Sequence, residues 1–181
     1  MLSHKKSLNI LKKTNALLEG HFVLSSGLHS SKYIQCAKLL SKPQKAKDLC
    51  QSLAEKINEN FNDFNLVLSP AVGGIVIGYE IGRLLNVETI FAERVNKIFQ
   101  LRRGFEIKKN HKILIVEDVI TTGKSSLECS VLAEKLGAEI IGFASLIDRS
   151  NGKSKINKKI ISQVQIEIPT FTEENIPEKL K

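Results

Sequence analysis

The sequence predicts an α/β domain with a mostly parallel central sheet flanked by helices, and three observations predict it. Short apolar runs of strand length alternate with segments of helical periodicity. The run at residues 113–116 is apolar throughout, the pattern of a strand buried on both faces. It leads directly into two acids, a small polar loop and a helical segment. With 181 residues, no internal repeat and no linker, the chain reads as one domain over 1–181.

The elements follow in order. Leu8, Leu11 and the pair Leu17 and Leu18 mark a helix over residues 3–18, which Gly20 ends. Residues 21–24 and 32–36 read as two short strands around the turn SSGLHS. Pro43 suits the first turn of a helix that runs to about Asn60, with Leu49, Leu53 and Ile57 on one face. Residues 65–69 form a short apolar strand, and SPAVGGIVIGYEIGRLL reads as strand, glycine turn and helix. Residues 88–92 are the next strand, residues 93–103 a polar, basic loop, and residues 104–107 return as a strand. Residues 113–116 are the central strand, and residues 124–136 its helix, with Gly137 at the C-terminal cap position. Residues 139–147 are a further buried strand and residues 160–168 alternate as a last one, before a polar tail from Pro169.

The most informative segment is ILIVEDVITTGKSS, residues 113–126. In open α/β sheets, ligands bind at the carboxyl ends of the strands. Thr121, Thr122, Gly123, Lys124 and Ser125 there form a polar loop at a helix N-terminus. Such a loop offers free N–H groups, hydroxyls and the positive end of the helix dipole to one phosphate. Glu117 and Asp118, just before it, are poor neighbours for phosphate but good acceptors for sugar hydroxyls. The combination points to a ribose 5-phosphate. A Walker A loop is excluded, because its first glycine would fall at Asp118.

Bulk properties narrow the remaining classes. No apolar run approaches the roughly 20 residues that span a bilayer, and the lysine-bearing N-terminus lacks the uninterrupted apolar core of a signal peptide. The expectation is a cytoplasmic protein without membrane contact. Cys36, Cys50 and Cys129 are odd in number and widely spaced, and the four histidines are scattered, which argues against a zinc site or disulfide framework. The formal charge of +8 permits a polyanionic ligand or nucleic acid. It comes mostly from lysine, with only five arginines. Of these, Arg94, Arg102, Arg103 and Arg149 fall at loops or strand ends, and only Arg83 lies in a helical pattern. Arginine is the better residue for two-pronged anion recognition.

EDVITTGKS resembles the phosphoribosyl diphosphate (PRPP) motif of the type I phosphoribosyltransferases. Over nearly its full length the chain looks like the orotate phosphoribosyltransferase family within them. The resemblance is carried by GHFVLSSGLHSSKYIQ, SPAVGGIVIGYEIGR, FAERVNKIFQLRRGFEI with EDVITTGKS, and SLIDRS. It implies the type I phosphoribosyltransferase fold, with a small hood built from the N- and C-terminal parts, mainly from about 1–40. It also implies transfer of the phosphoribosyl group from PRPP to orotate, with Mg²⁺ held mainly by PRPP and water, in a homodimer with shared active sites and no nucleic-acid partner.

The same resemblance assigns roles residue by residue. Glu117, Asp118, Val119, Ile120, Thr121, Thr122, Gly123, Lys124 and Ser125 would bind the ribose 5-phosphate part of PRPP. Ala71, Val72, Gly73 and Gly74 would bind pyrophosphate through backbone N–H groups, in a loop that in the family can hold a strained peptide bond. Arg94 and Lys97 would cover the pyrophosphate, and Lys97, Asp118 and Glu117 would be catalytic. Arg149, Tyr33, Ile34 and Thr121 would meet orotate. Three departures stand out: Glu117 where many relatives have aspartate, Ser25 where many have a lysine, with Lys32 nearby, and only a loose match at Arg102 and Arg103. Two other readings stay open at this stage. One is an enzyme acting on a purine base. The other is a nucleotide-sensing regulator on the same fold that binds RNA.

Overall fold

Helix α1 (His4–Lys13) stops a turn and more before the expected end. Asn15 adopts a left-handed conformation (φ 59°), and the N–H groups of Ala16 and Asn15 donate to the carbonyls of Leu11 and Lys12. These two bonds close the helix as a Schellman motif. Leu17 and Leu18 therefore start strand β1 (Leu17–Val23), and Gly20 lies within that strand instead of ending the helix. The computed structural model describes residues 1–24 and 26–180, so the Ser25 departure lies outside the described residues. Strand β2 (His29–Ile34) pairs antiparallel with β1, setting Tyr33 opposite Leu18 and Lys32 opposite Glu19.

A four-residue helix α2 (Ala37–Leu40) precedes α3 (Pro43–Asn60), which begins on Pro43 as expected. Then follow β3 (Leu66–Pro70), α4 (Gly73–Leu85), β4 (Glu88–Val95), β5 (Ile98–Leu101), β6 (Lys112–Ile120), α5 (Lys124–Lys135), β7 (Glu139–Asp148) and β8 (Ile160–Gln165). Residues 104–107 do not form the expected strand. Residues 93–103 are not an open loop either. Val95 pairs with Ile98 around Asn96 and Lys97, both at positive φ (51° and 68°), so β4 and β5 form a tight two-residue hairpin.

The main sheet has the order β5-β4-β3-β6-β7-β8, parallel except for the β4–β5 hairpin. From β3 the chain proceeds through α4 to β4 on one side. From β6 it proceeds through α5 to β7 on the other. The winding thus reverses between β3 and β6, and the crevice at their carboxyl ends is the place where such sheets bind ligands. A second, three-stranded sheet has the order β1-β2-β9, in which β9 (Thr170–Phe171) is drawn from the polar tail and pairs with β2.

The core lies on both faces of the main sheet. Leu114 and Val116 of β6 face α3 and α4, with Leu53, Ile57, Ile77 and Ile81. Ile113 and Ile115 face α5, with Cys129 and Ala133. This alternation, period two on a strand buried on both sides, continues through β6. It sends Glu117 to the α5 side and Asp118 to the α4 side.

Candidate active site

The two loops that flank the crevice are built by the ends of β3 and β6. After β6, Thr121 and Thr122 lead to Gly123, whose positive φ (77°) turns the chain into α5. A Cβ on Gly123 would meet Ile156 Cγ1 at 2.8 Å, so the glycine is also needed for space. Lys124 N–H donates to Thr122 Oγ1 (3.3 Å), and Lys155 N–H donates to Thr122 O (3.1 Å), which ties the loop to the segment after β7. The first-turn N–H groups of a helix lack intrahelical acceptors. Here they open into a cavity of about 150 Å³ lined by Glu117, Thr121, Thr122, Lys124 and Ser125. Its size and donors suit one tetrahedral anion.

After β3, Ala71 N–H donates to Ala92 O (2.8 Å), the peptide joining Ala71 and Val72 is cis, and Gly73 starts α4. A Cβ on Gly73 would lie 2.8 Å from Asp118 Oδ1. The two loops therefore touch through the Asp118 carboxyl group. Cys36, just past β2, directs its thiol at Asp118 O (3.7 Å) and connects the small sheet to the same point.

The acid pair is split in environment as well as in direction. Glu117 is 8% exposed, and burial, reinforced by neighbouring Asp118, pushes its carboxyl up to about 9. Glu117 is therefore protonated at neutral pH in the free chain, able to donate as well as accept a hydrogen bond.

Arg149 follows β7 and is half-buried; its backbone N–H donates to Ile120 O (2.9 Å), and burial lowers its guanidinium from the ordinary value. Asp148, which sequence reasoning passed over, caps this turn: its Oδ1 accepts from Ser150 N–H at 2.8 Å. An aspartate two residues before a serine is the signal that would have found it. On the small sheet, Tyr33 stacks on Phe22 with ring centroids 5.7 Å apart, and Ile34 is half-buried.

The arginines in and just after the basic hairpin are paired with acids. Arg94 reaches Glu128 (2.5 Å) and the carbonyl of Lys97 (2.8 Å), and lies over the Phe99 ring. Arg103 and Arg102 both pair with Glu93, at 2.7 and 3.7 Å, and Arg103 holds that carboxyl below its usual range. Lys32 lies on the small sheet opposite Glu19. Sequence reasoning gave no role to Glu93, inside the basic segment, or to Glu128, outside every motif. Among the described residues, no group of three or more His, Cys, Asp or Glu side chains is placed to hold a metal. No helix among them is long and apolar enough to cross a membrane.

Comparison with known proteins gives this site its context. Residues 37–181 match the phosphoribosyl transferase domain family. The chain is 46% identical over 162 residues to the orotate phosphoribosyltransferase of Carboxydothermus hydrogenoformans, covering 90% of this chain and 85% of that protein. It is 43% identical over 180 residues to that of Parvibaculum lavamentivorans, covering 99% and 93%. The crystal structure of orotate phosphoribosyltransferase from Aeropyrum pernix superposes with a TM-score of 0.76 at 24% identity, over 87% of this chain and 92% of that one. Adenine phosphoribosyltransferase from Thermoanaerobacter pseudethanolicus superposes at 0.65 with 18% identity, over 75% and 88%. At those identities the structural likeness speaks for the fold alone.

Proposed function

The chain belongs to the orotate phosphoribosyltransferase family of type I phosphoribosyltransferases, and on that premise we propose that it transfers the 5-phosphoribosyl group of PRPP to orotate in de novo UMP synthesis. The bond between C1 of the ribose and the pyrophosphate oxygen breaks, N1 of orotate bonds to C1 and gives up its proton to the pyrophosphate or to water, and orotidine 5′-phosphate and pyrophosphate leave. The observation that carries this reading is the contact of Asp118 with Gly73 beside the α5 anion cavity. It sets a phosphate site, a carboxyl pair and a glycine turn around one crevice.

The residues divide the substrate among them. Thr121, Thr122, Gly123, Lys124 and Ser125 hold the 5-phosphate, with Val119 and Ile120 carrying the backbone into that loop. Ala71, Val72, Gly73 and Gly74 offer backbone to the pyrophosphate, and Arg94 and Lys97 cover it. Asp118 and Glu117 take the ribose hydroxyls from opposite faces of β6. Protonated in the free chain, Glu117 serves first as a hydrogen-bonding group, and its charge reaches a cationic ribosyl centre only when its proton leaves. Arg149 meets the orotate carboxylate with its guanidinium fork, with Thr121 and the backbone of Tyr33 and Ile34 around the ring.

Mg²⁺ takes one or two carboxylates, substrate phosphates and water, and dehydrates reluctantly. Two carboxyl groups beside an anion cavity fit an ion that arrives with PRPP, held by its oxygens and water. When bound, it neutralises charge on the departing pyrophosphate. Val76 and Tyr79 on α4 expose 52% and 65% of their surface, and Val72, just before the helix, exposes 82%. Apolar exposure of this kind supports a homodimer, in which Lys97 serves the neighbouring subunit's site. The setting is the cytoplasm. Loss of orotate absorbance only when PRPP and Mg²⁺ are both present tests the assignment. Turnover of adenine or hypoxanthine with orotate untouched would refute it.

A further inference from the structure

Glu128 lies one helical turn beyond Lys124 on α5, and the roles assigned so far leave it idle. Its Oε2 pairs with Arg94 Nη2 at 2.5 Å, and its Oε1 is 3.9 Å from Lys124 Nζ. The other fork of Arg94 donates to Lys97 O at 2.8 Å, and the guanidinium face covers Phe99 at 4.1 Å from the ring centroid. Arg94 is thus occupied on both edges and one face. The hairpin and α5 enclose a trench of about 790 Å³, whose rim carries Lys97, Lys124, Lys135 and Lys155. Glu128 is the one carboxylate among the residues lining it.

We infer that Glu128 is a positioning residue for PRPP: it holds Arg94 against α5 in the free chain and yields it to the pyrophosphate when PRPP binds. A carboxylate and a phosphate oxygen compete for the same guanidinium edge. Both partners are about one-third exposed (36% and 34%), so water screens their pairing and a polyanion can displace it. On release, Lys124, 3.9 Å from Glu128 Oε1 and beside the anion cavity, remains to pair with it. The device keeps the hairpin ordered without a ligand and makes Arg94 available only to a stronger anion. It rests on the assignment of Arg94 to PRPP given above.

The test is Glu128→Gln in the full chain, with PRPP KM and kcat measured separately and PRPP binding in Mg²⁺ followed by calorimetry. Glu128→Gln should lower the KM for PRPP roughly two- to fivefold and leave the KM for orotate unchanged, while Glu128→Asp keeps the parent value. In an Arg94→Ala background, Glu128→Gln should have no effect on PRPP. An unchanged or raised PRPP KM in Glu128→Gln, with Arg94→Ala weakening PRPP, overturns the role of Glu128 alone. The same fall in both backgrounds also overturns it, because a general field effect would then suffice. If Arg94→Ala leaves PRPP binding intact, the assignment of Arg94 fails, and this inference with it.

Discussion

Asp118 fills the space in which any residue but glycine at position 73 would carry its side chain. A Cβ there would stand 2.8 Å from Oδ1 and 2.9 Å from Oδ2. Asp118 reaches that place because the β6 alternation turns it toward α4, while Val119 N–H fixes Oδ1 at 2.9 Å.

Gly73→Ala should therefore displace the Asp118 carboxyl without unfolding the chain, since alanine is a good helix former at the start of α4. Displacement by about 1 Å costs roughly 100-fold where orientation matters. The expected result is a large loss in kcat/KM for PRPP with an unchanged far-ultraviolet dichroism spectrum. Full activity would mean that Asp118 moves freely or does not act.

Arg149→Ala should weaken orotate and spare PRPP. Leaving a partly buried carboxylate without its charged partner costs about 2–5 kcal/mol. That corresponds to at least a tenfold rise in orotate KM or fall in kcat/KM, with PRPP binding by calorimetry nearly constant. Equal weakening of both ligands would show instead that Arg149 supports the turn after β7 that its backbone anchors to Ile120.

If Lys97 works across a subunit boundary, inactive Lys97→Ala and inactive Asp118→Asn chains should complement each other. Mixing them with confirmed subunit exchange should restore part of the activity, because some hybrid sites have both residues. A mixture that stays inactive would overturn the shared site and place Lys97 and Asp118 in the same chain's site.

Glu117 should impose a pH dependence on stability. Its carboxyl is raised in the folded chain, from 4.5 to about 9, so the folded state binds a proton that the unfolded state has released. The contribution is complete below about pH 4.5 and is lost as pH rises through 9, with a slope approaching about 1.4 kcal/mol per pH unit between. Urea unfolding of the ligand-free chain across this range should show stability falling, and Glu117→Gln should flatten that component. Identical slopes in both proteins would mean that Glu117 ionises freely in its buried position.

Sequence alone determined the features that depend on neighbours along the chain. The apolar run of β6, the polar loop after it and the helix of Lys124 were legible because strand, turn and helix periodicities change within a few residues. Pro43 at the start of α3 was legible for the same reason. Most of the candidate residues could be named from the sequence for the same reason, since they sit in contiguous motifs; their roles remain proposals. Tertiary structure decided what depends on distant partners. The tail joins the small sheet only because β2 offers an edge to Thr170 and Phe171. The basic segment becomes a hairpin although Asn96 and Lys97 lack the glycine that usually marks so tight a turn. Helix α1 ends at Lys13, because the left-handed turn at Asn15 brings the N–H groups of Asn15 and Ala16 to the carbonyls of Lys12 and Leu11, although Leu17 and Leu18 fit its period. Pairing with β7 carries β6 beyond its apolar run to Ile120, and that extension sends the adjacent acids to opposite faces. Only the packing around β6 keeps Glu117 protonated, because desolvation is set by everything that surrounds a carboxyl group and not by the residues beside it in the chain.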